Sequence, residues 1–268
     1  MDELEYDENY LQCLCGIPYT CAEPLWSEFF DQVAVALDER NAPKKVIGTG
    51  YSIGTLVEIM CARGIEAFWR DLSSFAKSQV PKELKGFCSH GLMTDPIEGR
   101  FDVVTCFDVI EHMLEWDARK AIRNLCVVSP KAFFSSIPTE FKGGTLINVQ
   151  ILVYRMDLFA AEGVGPVSDF DGSFLCPWAI LFEKRDTRPS RAELEAHAGL
   201  IRFRMENTEI NAQTEIEHRS WLNIQQSQVA EVADLNAQIK TLNSIATMVK
   251  ENWRKCARVG PHMKSVQI

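Results

Sequence analysis

The sequence predicts a three-layer α/β sandwich on a mainly parallel sheet, capped by an N-terminal helix and extended by a C-terminal helical, partly coiled-coil segment. Three observations carry this. Between residues 44 and 185, short apolar runs alternate with helical patterns, the order that parallel strands joined by crossover helices require. A glycine-rich turn joins the first strand to its helix, and the next strand ends in an acid. After Pro189 the composition shifts to Ala, Glu, Gln, Asn and Arg, with one Gly (Gly199) and no Pro up to about residue 257.

These shifts divide the chain into residues 1–40, 41–185 and 186–268. The first segment is acidic and aromatic. Trp26, Phe29 and Phe30 open a helical pattern that continues through Val33, Val35 and Leu37, and this is the cap helix. In the second segment the expected order is strand KKVIG, helix TLVEIMCARG, strand EAFWR, strand FDVVTCF, helix ARKAIRNLCVV and strand AFFSSI. The later run AILFEK adds an edge strand. In the third segment Val232, Leu235, Ile239, Leu242, Ala246, Val249 and Trp253 are spaced alternately 3 and 4 apart, a heptad seam. Leu194, Ala198, Ile201 and Met205 belong to a different register, so a stutter or a break separates the two. One continuous helix over this segment would reach roughly 100 Å. That length points to self-association or a partner protein through residues 190–257; the alternative is two helices packed on the domain.

Composition narrows the function classes. Apolar residues make up 46% and charged residues 24%, as in an ordinary globular protein with a packed core. The 28 Lys plus Arg against 37 Asp plus Glu leave a net charge of −9, which disfavours nucleic acid as a partner. No apolar run is long enough to span a bilayer, and the start, MDELEYDENY, is acidic where a secretory signal is basic, so the expected location is cytoplasmic. The nine Cys include no Cys-x-x-Cys pair, which suits small buried hydrophobes better than a disulfide framework or a zinc site. Cys13, Cys15 and Cys21 lack a fourth ligand nearby, so no metal is expected.

The chemistry-bearing motif is VIGTGYSIGTLVEIMCARGIEAFWRDLS. Small residues at Gly50, Ser52 and Gly54 come after the first strand, just ahead of a helix beginning near Thr55. A cofactor lying across the carboxyl ends of the strands needs such bare backbone beside helical N–H groups. Asp71 ends the second strand, where a carboxylate accepts both hydroxyls of a ribose; the alternative is a solvated loop acid. An NAD ribose would suit Asp71 as well.

With two later stretches, these residues resemble the class I S-adenosylmethionine-dependent methyltransferases, a Rossmann-like family. Gly50 and Gly54 match the outer glycines of its Gly-x-Gly-x-Gly turn, Asp71 matches the ribose acid, and Leu72 and Ser73 match the residues after it. RFDVVTCFDVIEHMLEW resembles the family's fourth strand and the helix after it, with Asp102, Asp108, Glu111 and His112 on the family's positions. TLINVQILVYRMDLFAAEGVGP is similar to a segment of methyltransferases encoded with surface-polysaccharide glycosyltransferases. The resemblance spans about residues 26–183. It implies S-adenosylmethionine as cofactor, held by Gly48, Gly50, Ser52, Gly54, Asp71, Leu72, Leu92 and Asp108. It also implies O-methylation of a saccharide or other small polar acceptor, with Asp108 and His112 as catalytic residues.

Two departures stand out. Gly48 occupies the place of the first-strand acid, and Ser52 replaces the middle glycine; Trp69 and Arg70 are also expected to add bulk beside the ribose. These features support a second reading, a catalytically degenerate methyltransferase-like scaffold that works through its coiled coil.

Other residues leave alternatives open. Histidine as a residue type suits a general base at neutral pH, which makes His112 a candidate, yet a histidine at a helix start is also commonly a capping or surface residue. Glu111 and His112 are adjacent, so on a helix they point about 100° apart and form no metal pair. Tyr6, Tyr10, Tyr19 and Trp26 either close over a small molecule or fill core edges. Asn148, Gln150, Tyr154 and Arg155 either contact the acceptor or serve structure, and Trp178 is expected to pack. Lys250, Arg254, Lys255, Arg258 and Lys264 form either a solvated coiled-coil face or a peripheral membrane contact.

Overall fold

The computed structural model describes residues 24–50, 54–138 and 146–211, with single helical residues at 240, 242, 244, 247, 248 and 250. The chain divides into two compact units, Met1–Thr208 and Glu209–Ile268. In the second unit every described residue is helical, and Leu242 is exposed. The rest of the heptad seam, from Val232 to Trp253, lies outside the described residues, as do Ser52, Tyr6, Tyr10, Tyr19 and the Cys13, Cys15, Cys21 group. Among the described residues no helix is long and apolar enough to cross a membrane.

The first unit runs α1 (Pro24–Asn41), β1 (Lys45–Thr49), α2 (Thr55–Ala62), β2 (Glu66–Asp71), α3 (Ser74–Gln79), β3 (Cys88–His90) and β4 (Val103–Phe107). It continues with α4 (Glu115–Val128), β5 (Lys131–Ser135), α5 (Leu152–Ala161), β6 (Val164–Pro166) and β7 (Ile180–Lys184). A final helix, α6, begins at residue 191 and is described through 211. The seven strands form one sheet in the order β3-β2-β1-β4-β5-β7-β6. Every neighbouring pair from β3 to β5 is parallel, and β7 runs antiparallel to both β5 and β6. The mainly parallel α/β sheet read from the sequence is therefore the observed fold.

The strands read as continuous apolar runs because both faces are covered. Val46, Trp69, Val103, Phe133 and Leu181 enter one core with Phe30, Val33 and Leu37 of α1, Leu56 and Met60 of α2, and Ala76 of α3. Their neighbours Ile47, Val104, Phe134 and Phe182 enter the other with Ile122 and Leu125 of α4 and Phe159 of α5. Successive side chains of a strand point to opposite faces, so this alternation produces the three layers. Phe159 stacks on Phe182 with ring centroids 4.1 Å apart. Trp26 stacks on Phe30 at the outer edge of α1, in keeping with core filling.

Leu194, Ala198 and Ile201 are buried in the core shared with α4 and α5. The register read at the start of the C-terminal extension is thus the face that seats α6 on the sheet layers. Ser190 and Glu193 start this helix as a capping box: the Ser190 N–H donates to Glu193 Oε2 at 2.8 Å, and the Glu193 N–H donates back to Ser190 Oγ at 3.3 Å.

One strand assignment is corrected. AILFEK is no edge strand, because β7 lies between β5 and β6 with Ile180, Leu181 and Phe182 all buried. The edge is β6, only three residues long and carrying Gly165 and Pro166, a composition that gives no strand signal. Ser73 caps α3, its Oγ accepting the Ala76 N–H at 3.0 Å. Replacing it with Ala is expected to lower the unfolding free energy by about 1 kcal/mol in a urea titration; an unchanged midpoint would show that the cap carries no weight.

Candidate functional site

The connections after β1 lead to β2 and β3 on one side of the sheet, while β4 and the later strands lie on the other. The reversal between β1 and β4 opens a crevice at the carboxyl ends of the strands. Gly50 leaves β1 at φ 74°, and a Cβ there would stand 2.2 Å from Val109 Cγ2. Gly54, at φ 83°, opens α2. Only glycine adopts this pair of left-handed conformations freely. Gly48 is buried within β1, in register with Trp69 on one side and Thr105 on the other.

Asp71 is the last residue of β2, half-buried, and its Oδ1 accepts the Ser73 N–H at 2.7 Å. Leu72 comes next, also half-buried. Leu92 is brought to the same end of the sheet because β3 pairs in parallel with β2, His90 opposite Asp71, and the Gly91 N–H donates to the Asp71 carbonyl at 3.0 Å. The bulk expected from Trp69 is corrected: its ring is 1% exposed and packs beneath Gly54, on the α2 side of the sheet. Arg70 alternates to the opposite face, its Nη1 donating to the Pro96 carbonyl at 3.0 Å and its Nη2 lying 3.7 Å from Asp95.

Asp108 is the first residue beyond β4 and sits at φ 49°. Its N–H donates to the Ser135 carbonyl at 3.1 Å. Ser135 Oγ donates to Asp108 Oδ1 at 2.9 Å, and Trp178 Nε1 donates to the same oxygen at 3.4 Å. Asp108 reaches solvent yet is crowded by protein on its other sides, as a residue inside a crevice is. The water withdrawn by that crowding raises its carboxyl above the usual range, against the hydrogen bonds from Ser135 and Trp178 and the attraction of His112. His112, half-buried, ends a short 3-10 turn, Ile110–His112, after β4.

The structure thus brings Asp108 and His112 close together after β4, with Gly50 against Val109 beside them, and places Gly54, Asp71 and Leu92 after β1, β2 and β3 at the same end of the sheet. Sequence reasoning missed Ser135; Trp178 packs against the core as expected and in addition donates to Asp108. The one signal for Ser135 is its place at the carboxyl end of a strand, where crevice-lining residues occur.

Behind Asp108 lies a buried polar cluster. Glu111 has no exposed surface. Its Oε1 accepts the Ile137 N–H at 3.0 Å, and its carbonyl accepts the N–H groups of Ile147 and Asn148. Burial first, then the Asp108 charge, push its carboxyl up to about 7. Arg155, equally buried, donates through Nη2 to the Asn148 carbonyl, and Gln150 Nε2 donates to Asn148 Oδ1 at 3.2 Å. Tyr154 donates to Glu115 Oε1 at 2.6 Å. Asn148 therefore joins the lead into α5 to the turn after β4, Gln150 and Arg155 hold Asn148, and Tyr154 ties α5 to the start of α4.

No protein-family model matches the chain, and no curated protein matches its sequence. Solved structures match its fold. DesVI from Streptomyces venezuelae superposes with a TM-score of 0.52 at 12% identity over 60% of this chain and 92% of its own. CalS10, an amino pentose methyltransferase from Micromonospora echinaspora solved with S-adenosylmethionine bound, gives 0.50 at 14% identity over 60% and 92%. Magnesium protoporphyrin IX methyltransferase from Synechocystis, also with S-adenosylmethionine bound, gives 0.50 at 14% identity over 68% and 96%. The seven-stranded, mainly parallel sheet with its flanking helices is thus the Rossmann-like fold found in methyltransferases.

Proposed function

We propose that the chain binds S-adenosylmethionine in the crevice between β1 and β4 and transfers its methyl group to a hydroxyl of a saccharide or another small polar acceptor. One observation carries this reading: left-handed glycines at the end of β1 and the start of α2, an acid ending β2 and a carboxyl with a nearby imidazole after β4 occur where the strand order reverses. The residues present fit such a cofactor. Gly50 and Gly54 leave backbone without side chains beside the first turn of α2, and Asp71 stands where a ribose would meet a carboxylate. Leu72 and Leu92 offer apolar contact next to it. The cofactor supplies an activated methyl group. The chain's own residues bind and orient it, and Asp108 with His112 receives the acceptor and its proton. The bound cofactors of CalS10 and the protoporphyrin methyltransferase support the choice of cofactor. The sugar acceptor in the CalS10 description and the TLINVQILVYRMDLFAAEGVGP likeness support the saccharide.

Gly48 in place of an acid favours the second reading, a scaffold without catalysis that acts through its C-terminal coiled coil on itself or a partner protein. Calorimetry with S-adenosylmethionine and S-adenosylhomocysteine separates the two: micromolar binding is expected, and no binding at millimolar cofactor overturns the enzyme reading. Asp71→Ala is expected to weaken binding about tenfold or more, from the loss of hydrogen bonds to a charged acceptor, roughly 1.5 kcal/mol. Asp71→Asn keeps the acceptor for Ser73 and controls for the turn, so unchanged affinity in the Ala variant would remove Asp71 from the site.

A further inference from the structure

Asp108 is held more firmly than its place after a strand requires. Ser135 grips it twice, its carbonyl taking the Asp108 N–H and its hydroxyl donating to Oδ1. Trp178, from the run ahead of β7, adds a second donor to the same oxygen. The left-handed backbone at φ 49° is uncommon for a residue with a side chain, and conformations of this kind persist where surrounding bonds over-determine them. Both donors converge on Oδ1. No hydrogen bond to Oδ2 is present among the described residues, and Asp108 is open to the crevice.

We propose that Ser135 and Trp178 are positioning residues that clamp Oδ1 of Asp108 so that Oδ2 takes the proton of the methyl acceptor, an uncharged O–H or N–H group. This rests on the methyl-transfer reading above. The acceptor's proton passes to Oδ2, the electron pair left on the acceptor atom forms the new bond to the methyl carbon, and the carbon–sulfur pair stays with sulfur. The groups around Asp108 explain the acceptor class. Glu111 and His112 come from the turn after β4, Cys106 from β4 and Cys176 from the run ahead of β7. Burial keeps the Cys106 and Cys176 thiols protonated and uncharged, so Asp108 with Glu111 behind it carries the negative charge there, and Arg155 is buried with its Nη2 on the Asn148 carbonyl. A carboxylate or phosphate acceptor would meet like charge, whereas a neutral donor finds an acceptor oxygen already aimed.

The test is the titration of Asp108 in the full chain, monitored by NMR with carboxyl-labelled aspartate and assigned with Asp108→Asn. Both clamping bonds favour the ionised form, so the midpoint is expected to rise in Ser135→Ala, to rise less in Trp178→Phe because that contact is longer, and to return in Ser135→Thr. Trp178→Phe keeps a ring in place, so a packing role alone would leave the midpoint where it is. An unchanged midpoint in both Ser135→Ala and Trp178→Phe, with wild-type thermal unfolding, overturns the clamp. Should Ser135→Ala fail to fold, the half-buried Trp178 decides alone. S-adenosylhomocysteine binding to the same samples keeps the two ideas apart: its absence from the wild type sinks the methyl-transfer reading and the acceptor role with it, whereas an unmoved titration sinks only the clamp.

Discussion

Gly50→Ala is expected to destabilise the first unit by about 3 kcal/mol, combining a left-handed conformation on a residue with a Cβ and overpacking against a neighbour. The neighbour is Val109, whose Cγ2 would stand 2.2 Å from the new methyl. Val109 sits between Asp108 and the Ile110–His112 turn, so relaxing the clash would displace the carboxyl end of β4 as well as that of β1. A double-mutant cycle isolates this contact. In a Val109→Ala background the contacts with Cγ2 and Cγ1 disappear, while a Cβ contact at 3.3 Å and the backbone strain remain, so the same glycine substitution should cost about 1–2 kcal/mol less. The measurement is urea unfolding of the four chains. Equal costs in both backgrounds would mean that Val109 does not set the requirement for glycine.

The second large effect is a pH dependence. Glu111 is fully buried, and its carboxyl is raised from 4.5 to about 7, chiefly by desolvation and then by the Asp108 charge. The folded chain therefore keeps a proton that the unfolded chain has released once the pH passes 4.5, and the unfolding free energy falls as pH rises from there to about 7. Glu111→Gln keeps an acceptor for the Ile137 N–H and has no proton to lose. Relative to the wild type it should be equal near pH 4 and gain roughly 3 kcal/mol by pH 8, the size of the shift in free energy. Parallel stability curves for the two chains would show that Glu111 is ionised at little cost. The consequence for the site is local, since Glu111 accepts bonds from both sides of the lead into α5 and stands behind Asp108.

Much of this architecture is legible in the residues themselves. KKVIG, EAFWR, FDVVTCF and AFFSSI are strands because each is a short apolar run ended by Gly, Asp or Ser, and both faces of each run are apolar enough to be covered. The glycine turn and the acid after EAFWR were readable because local backbone demands fix residue type at fixed spacing. β3 and β6 were not readable, since three residues such as Cys88–His90 or Val164–Pro166 carry no period. α5 went unassigned because its residues are buried on nearly every side, Arg155 included, and so show no amphipathic stripe.

By itself, then, the sequence determined the alternation of strands and helices, the glycine turn, Asp71 at the end of β2, and the placing of Asp108 and His112 after β4. Each of these arises from interactions between residues close along the chain. Tertiary structure alone decided that β7 lies inside the sheet, that Trp69 goes to the core and leaves the crevice clear, and that Leu194, Ala198 and Ile201 seat α6 on the same unit. It also decided the partners of Asp108, with Ser135 27 residues away and Trp178 70 residues away. The physical reason is that a side chain's local pattern fixes which face of its strand or helix it occupies, whereas its partners depend on which distant elements the sheet order brings to that face.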